Sequence, residues 1–160
     1  AMPVKHPDIE TLPILEDRFL LAVPQSKKLS GRVRATKELI EGDQLLLLEE
    51  GHCLRDQALT FCSLQRVDMV NTFGATSLAT IVEMVSAGLG ITLLPEICLG
   101  VESRSRELKL IRFDDPEPSR TLGLAWRRSS PRREEFKALA ALVSQAGDVS
   151  LQRAAMVTTA

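Results

Sequence analysis

The regular alternation of short apolar runs with helical patterns is the feature that most constrains how this chain can fold. The helical patterns separate the apolar runs from one end of the chain to the other. Such alternation is typical of a mostly parallel sheet covered by helices, so the sequence predicts the α/β class. The apolar runs of strand length extend from Phe19 to Val23, Gln44 to Leu48, Met69 to Phe73, Gly90 to Leu94, Leu108 to Ile111 and Thr121 to Trp126.

The clearest predicted helix runs from Leu78 to Ala87, because its apolar residues recur with helical spacing on one face. Thr76 or Ser77 suits the cap before this helix, and Gly88 suits the position after its end. Pro95 suits the first turn of another short helix. Further helices are predicted from Thr36 to Leu39, from Leu54 to Leu64 and from Arg132 to Gln145, the last with Phe136, Leu139, Ala140 and Val143 on one face.

Composition excludes several classes of protein. With 44% hydrophobic residues and a formal net charge of -1, the chain has the balance of an ordinary globular protein. No apolar run approaches the roughly 20 residues that span a bilayer, so no membrane segment is predicted. Three cysteines without a small disulfide scaffold, and no signal-peptide pattern, predict a reducing, cytoplasmic location.

The densest basic cluster consists of Arg127, Arg128, Arg132 and Arg133, on either side of Ser129-Ser130-Pro131. These arginines are expected to decorate a loop and the start of a helix. Direct nucleic-acid binding by this chain is therefore not predicted.

Cys53 and Cys62 lie nine positions apart across a predicted helix. On a helix this offset is a rise of about 13 Å and places the two thiols on opposite faces. A disulfide needs Cα atoms within roughly 7 Å, so the pair could oxidise only if the segment between them unwound. Gly51 frees the chain to turn before the helix, while His52, Arg55 and the helix N-terminus favour thiolate at Cys53. Thiolate attacks peroxide to give a sulfenic acid, which a second thiol such as Cys62 can trap.

Structural roles compete with this interpretation. Cys53 and Cys62 could both be small buried apolar groups, as Cys98 is predicted to be after its own apolar run. Zinc is disfavoured because C-x8-C beside one histidine lacks the short spacing of zinc ligands, so neither a metal nor a cofactor is predicted. His52 could be a loop histidine bonded to backbone, and Asp56 suits the first helical turn as a structural carboxylate.

Three stretches of the sequence resemble a known family. They read E-E-G-H-C-L-R-D-Q-A-L-T-F-C, then F-G-A-T-S-L-A-T-I-V-E-M-V-S-A-G-L-G-I-T-L-L-P, then P-E-P-S-R-T-L-G-L-A-W. The first is similar to the redox motif of the OxyR family, the peroxide-sensing members of the LysR-type transcription regulators. The A-G-L-G-I-T-L-L-P string occurs across LysR-type regulators. The resemblance extends from about Leu12 to Leu142.

The resemblance implies a periplasmic-binding-protein-like regulatory domain with two α/β subdomains. Residues 1–15 would end a segment of subdomain I, residues 16–120 would form the complete subdomain II with the cysteine pair, and residues 121–160 would return to subdomain I. The family's DNA-binding domain would be absent. For the longer parent, the resemblance implies dimers or tetramers, DNA, RNA polymerase, and a glutaredoxin- or thioredoxin-type reductant as partners.

The site residues implied by the resemblance begin with Cys53, which matches the peroxide-reactive cysteine, and Cys62, which matches its disulfide partner. His52 matches the histidine of the motif. Arg120 corresponds to an arginine near the reactive sulfur, although an exposed arginine after a Pro-rich connector needs no function. Gly51, His52 and Cys53, together with Thr76 and Ser77 where the family's cleft lies, would form the peroxide site; capping is the competing role of the last two.

The function predicted from these residues is hydrogen peroxide sensing without enzymatic turnover. Two alternatives stay open. A thiol peroxidase would use the same thiols but cycle with a reductant. A LysR-type domain that senses a small metabolite would leave the cysteine pair incidental.

Overall fold

A computed structural model describes residues 1–29, 34–62, 70–71, 75–102 and 107–158 of the chain. Its strands are β1 (Ile9–Pro24), β2 (Leu45–Leu46), β3 (Val70–Asn71), β4 (Thr92–Pro95), β5 (Leu108–Ile111) and β6 (Ser119–Arg127). Its helices are α1 (Lys37–Glu41), α2 (Cys53–Cys62), α3 (Leu78–Ser86), α4 (Leu99–Glu102) and α5 (Arg133–Thr158), with a 3-10 helix at Glu96–Cys98.

Strand β1 organises the structure, because it is 16 residues long and pairs with three other strands. Its first part pairs with β6, from Ile9 opposite Arg127 to Arg18 opposite Ser119. Its second part lies between β4 and β5 in one sheet. The partner of the strand therefore changes between Arg18 and Phe19. The predicted run from Phe19 to Val23 is the buried second part of a much longer strand.

The prediction of a mostly parallel sheet was wrong for the ladders of β1, all three of which are antiparallel. Parallel pairing is found between β2 and β3 and at two isolated bridges, Ala35 with Phe113 and Leu45 with Ile91. Apolar periodicity locates a strand but carries no information on its direction, which depends on the neighbour it meets. Of the predicted strand from Met69 to Phe73, Val70–Asn71 is observed and the rest lies outside the described residues.

The core lies on both faces of β1, because successive strand residues point to opposite sides. Phe19, Leu21 and Val23 belong to a cluster that also contains Ile40 of α1 and Ala58 of α2. Leu20 and Ala22 belong to a second cluster with Val82 of α3 and Ala154 of α5. The strand thus holds α2 on one side and α3 and α5 on the other.

The helix starts follow the local signals in the sequence. Helix α1 begins after Thr36, whose hydroxyl accepts a hydrogen bond from the Leu39 amide at 3.4 Å. Helix α3 begins after Ser77 as predicted, but the Ser77 side chain makes no cap hydrogen bond; Gly88, with φ of 82°, follows its end. Pro95 ends β4 and precedes the 3-10 helix. Helix α2 starts one residue earlier than predicted, and residues 63 and 64 lie outside the described residues.

Helix α5 is longer than the predicted segment from Arg132 to Gln145, since it continues to Thr158. Gly147 lies inside this helix, at the point where α5 approaches β1. A Cβ at this position would collide with the Leu15 side chain, so the close packing explains why a glycine occurs within the helix. The predicted apolar face is only partly covered: Phe136 stacks on Trp126 at 5.4 Å and Ala140 is buried, but Leu139 and Val143 are exposed. Among the described helices none is long and apolar enough to cross a membrane.

Candidate redox site

Cys53 is the first residue of α2, and its thiol is free and exposed. The chain reaches it through Gly51, whose φ of 91° lies in the left-handed region that favours glycine. The backbone of His52 completes the turn: its amide donates to Glu49 O at 3.4 Å, and its carbonyl accepts from the Arg55 amide at 2.9 Å. This arrangement agrees with the prediction that Cys53 lies at a helix N-terminus after a glycine turn.

The inward face of α2 fixes the helix against the core. Ala58 is buried, Leu54 and Leu59 pack on the same cluster, and Phe61 makes an edge-to-face contact with Phe113 at 5.0 Å. Arg55 is only 4% exposed and its Nη1 donates to Leu48 O at 3.1 Å. The sequence suggested Arg55 as a cation beside the sulfur. Its guanidinium instead holds the start of α2 to Leu48, two residues after the end of β2.

Cys62 is the last residue of α2, so both cysteines of the motif lie on one continuous helix. Nine residues of helical rise separate their backbones by about 13 Å, well beyond the roughly 7 Å that a disulfide permits. Helix α2 must therefore unwind before these cysteines can join. Asp56 lies in its first turn, as expected for a carboxylate near the positive end of a helix.

Thr76 and Ser77 lie at the start of α3, next to the loop that leads into α2. A backbone hydrogen bond joins the two segments: the Glu49 amide donates to Ala75 O at 3.2 Å. Leu48, Ala75 and Leu54 also share one apolar cluster. Both hydroxyl residues are exposed. The structure thus brings the starts of α2 and α3, with Gly51 to Cys53 and Thr76 to Ser77, into one neighbourhood.

Arg120 lies on β6 and is held by an acidic partner that sequence reasoning missed. Its Nε donates to Oδ2 of Asp17 at 2.9 Å, and its guanidinium lies 5.7 Å from the centre of the Phe19 ring. Asp17 is completely buried, and its Oδ1 accepts from the Ile97 amide at 3.0 Å. The predicted approach of Arg120 to the Cys53 sulfur stays a prediction, while its described contacts place it where β1 changes partner.

Cys98 adjoins this ion pair and is half-buried, which corrects the prediction of a buried residue. Burial raises the pKa of the Cys98 thiol; the carboxylates of Asp17 and Glu102 raise it further, and Arg120 acts in the opposite direction. A raised pKa keeps the sulfur protonated, and a protonated thiol is a poor nucleophile.

A second ionic network that sequence reasoning missed surrounds Glu117. Its carboxylate accepts from Arg18 at 3.1 Å and from Arg112 at 3.4 Å, and Arg112 also pairs with the buried Glu96. Burial acts to lower the pKa of Arg112, but the hydrogen bonds and charges of Glu96 and Glu117 raise it overall. These charges join β1 to the segments that follow β5 and precede β6. Glu96, an acidic residue directly after an apolar run, could have signalled them in the sequence.

Within the described residues, no group of three or more His, Cys, Asp or Glu side chains is arranged to hold a metal ion.

Comparison with known proteins decides the family. The model of the LysR substrate binding domain matches residues 1–148. The chain belongs to this LysR substrate-binding domain family. The periplasmic-binding-protein-like α/β fold predicted from the sequence is thereby confirmed.

The curated relatives of this chain include proteins named as hydrogen peroxide-inducible genes activators. The chain is 40% identical over 147 residues to a probable hydrogen peroxide-inducible genes activator of Mycobacterium avium, which is 91% of this chain and 47% of that protein. The chain thus spans about half the length of the curated relatives it matches.

Solved structures of OxyR from Corynebacterium glutamicum are among those similar to this chain. A hydrogen peroxide-bound cysteine-to-serine mutant is similar with a TM-score of 0.86 and 31% identity, over 98% of this chain and 50% of that chain. The oxidized form is similar with a TM-score of 0.78 and 30% identity, over 98% of this chain and 49% of that chain.

Proposed function

We propose that this LysR-type domain senses hydrogen peroxide by oxidation of Cys53, followed by a Cys53–Cys62 disulfide and local refolding of α2. The Cys53 thiolate attacks peroxide, so that the sulfur becomes a sulfenic acid and hydroxide leaves. The Cys62 thiol then attacks the sulfenic sulfur, and water is released as the disulfide forms. The observation that carries the proposal is the position of the two cysteines at opposite ends of one helix.

The exposure of Cys53 supports the first step. Peroxide can reach the sulfur from solvent, and the amides of the first turn of α2 present the positive end of the helix to a developing negative charge. His52 and the hydroxyls of Thr76 and Ser77 belong to the same neighbourhood and offer donors for the peroxide oxygens. Arg120 would contribute a positive charge to this step if its guanidinium left Asp17 and contacted the Cys53 sulfur.

The helical separation of the cysteines supports the second step as a conformational switch. Oxidation of a two-electron couple supplies about 1.4 kcal/mol for each 30 mV of potential difference, so a modest difference can unwind a segment of this length.

The same proposal assigns partners to the longer protein. Refolding of α2 would change packing between subunits of a dimer or tetramer, and thereby the contacts of a separate DNA-binding domain with DNA and RNA polymerase. A glutaredoxin- or thioredoxin-type thiol would reset the disulfide. The domain itself would act as a sensor that reacts once per reduction, without enzymatic turnover.

Intact-mass measurement tests the switch directly. The reduced chain, treated with one equivalent of hydrogen peroxide, should lose two hydrogens that peptide mapping places between Cys53 and Cys62. The Cys62→Ser variant should stop at a sulfenic acid on Cys53, and the Cys98→Ser variant should behave as the natural chain. If Cys53 and Cys62 both stay free while Cys98 oxidises, the assignment is wrong.

Two further readouts separate the alternatives. A thiol peroxidase would rapidly consume many equivalents of peroxide when a thiol reductant is supplied. The sensor should consume one equivalent of peroxide each time its disulfide is slowly reduced. A metabolite sensor would keep its response in a variant that lacks both Cys53 and Cys62.

A further inference from the structure

The arginine cluster around Ser129 divides into two pairs with different partners. Arg132 donates from Nε and Nη2 to Glu135 at 2.9 and 2.6 Å, and Arg133 donates to Glu10 at 3.0 and 2.5 Å. These two charges are neutralised. Across the part of the chain that the structure describes, Arg127 and Arg128 have no carboxylate partner.

The two unpaired arginines line an open cavity of about 530 Å³. The cavity forms where β1 begins and β6 ends: Ile9 pairs with Arg127, and the Arg128 amide donates to Asp8 O at 2.8 Å. The backbone of both strands thus fixes its walls. The lining residues are His6, Asp8, Ile9, Arg127, Arg128 and Ser129.

The polar groups of the cavity favour a negatively charged occupant. Nδ1 of His6 accepts a hydrogen bond from the Asp8 amide at 3.2 Å, which leaves Nε2 as the ring nitrogen that can donate. Ser129 adds a hydroxyl donor. The cavity lining includes one carboxylate, that of Asp8, whose side chain is 82% exposed and lies 3.9 Å from His6 Nδ1. Its single negative charge offsets only part of the two guanidinium charges.

We propose that this cavity binds a small oxyanion with more than one negative charge, such as a phosphate or a polycarboxylate. A guanidinium binds paired oxygens through two parallel N–H donors, and two of them serve a multiply charged anion better than a single carboxylate. The volume lies within the range of small-molecule sites. The cavity is built by residues other than the cysteine site, so the inference stands apart from the peroxide proposal.

Two-dimensional amide NMR of the whole chain, titrated with inorganic phosphate and separately with citrate at constant ionic strength, tests the site. Saturable shifts are expected at residues 6–9 and 127–129. The Arg127→Gln/Arg128→Gln variant should weaken the binding by at least about tenfold, since it removes the charge-assisted hydrogen bonds. Amides far from the cavity report that its fold is retained.

The matched control is Arg132→Gln/Arg133→Gln, which removes the same charge from arginines outside the cavity. It should change the affinity by less than about twofold, because ionic screening leaves little long-range attraction. Equal weakening in both variants would overturn the proposal in favour of general surface charge, and so would the absence of saturable shifts with both anions. Binding of only one anion would assign the site to phosphates or to carboxylates.

Discussion

The guanidinium of Arg120 and the carboxylate of Asp17 form an ion pair at 2.9 Å across β1 and β6, with the carboxylate completely buried. The pair lies one residue before β1 exchanges β6 for β4 and β5 as partners. The Ile97 amide, the Phe19 ring and Cys98 surround it. This one contact therefore ties β1 to the start of β6 and to the 3-10 helix that follows β4.

Removal of the Asp17 charge should destabilise the fold strongly. Asp17→Asn leaves the Arg120 cation without its buried counter-charge, and breaking such a pair costs about 3 kcal/mol of the free energy of unfolding. Urea unfolding of the two proteins measures the difference. Glu16→Gln is the control, because it removes the adjacent exposed carboxylate and should change stability by less than about 0.5 kcal/mol. Equal effects would show that the Asp17–Arg120 pair has no special weight.

Short-range features of the fold could be predicted from sequence, and long-range ones could not. Strand β5 coincides with the apolar run from Leu108 to Ile111, and the start of α2 follows from Gly51, because both depend on neighbours in the chain. The antiparallel direction of the β1 ladders depends on segments far away in sequence. The Asp17–Arg120 pair joins residues 103 positions apart, which no spacing rule reveals.

Loosening α2 should favour the disulfide. Ala58→Gly lowers the stability of the reduced helix by about 1 kcal/mol, and if that helix must unwind for Cys53 to meet Cys62, the oxidised form gains relative to the reduced one. The reduction potential should become more negative by about 20 mV, as measured by equilibration with glutathione. Ala141→Gly makes the same change in α5 and should leave the potential unaltered. A potential unchanged in Ala58→Gly would contradict unwinding as part of the switch.

Cys98 should react slowly with thiol reagents near neutral pH. Its pKa is raised above the ordinary 9.0, chiefly by burial and then by Asp17, so thiolate forms only at alkaline pH. Alkylation by iodoacetamide, followed residue by residue by mass spectrometry, should label the exposed Cys53 first. The labelling rate of Cys98 should rise with pH, and the pH at which half of this rise has occurred should lie above the ordinary thiol pKa. Prior labelling of Cys98 at pH 7 would contradict this order.

The raised pKa of Cys98 also determines how the stability of the fold should change with pH. A raised pKa in the folded state favours the protonated thiol, so the contribution of Cys98 is complete below the pKa of the unfolded chain and is lost as the pH rises through the folded value. The free energy of unfolding of the natural chain should therefore fall relative to that of Cys98→Ser, and only at alkaline pH. A difference between them that changed across acidic pH would have another cause.

Gly51→Ala should destabilise the start of α2, although no atom of the described residues lies within 4 Å of the position that its Cβ would occupy. The cost is in the backbone, because φ of 91° disfavours any residue with a Cβ by about 1 to 2 kcal/mol. Gly100→Ala is the matched control. A Cβ there also meets no atom in the part of the chain that the structure describes, but Gly100 lies in α4, where alanine is favoured. Thermal unfolding should therefore give shifts of opposite sign, whereas two equal shifts would mean that the conformation of Gly51 does not constrain the approach to Cys53.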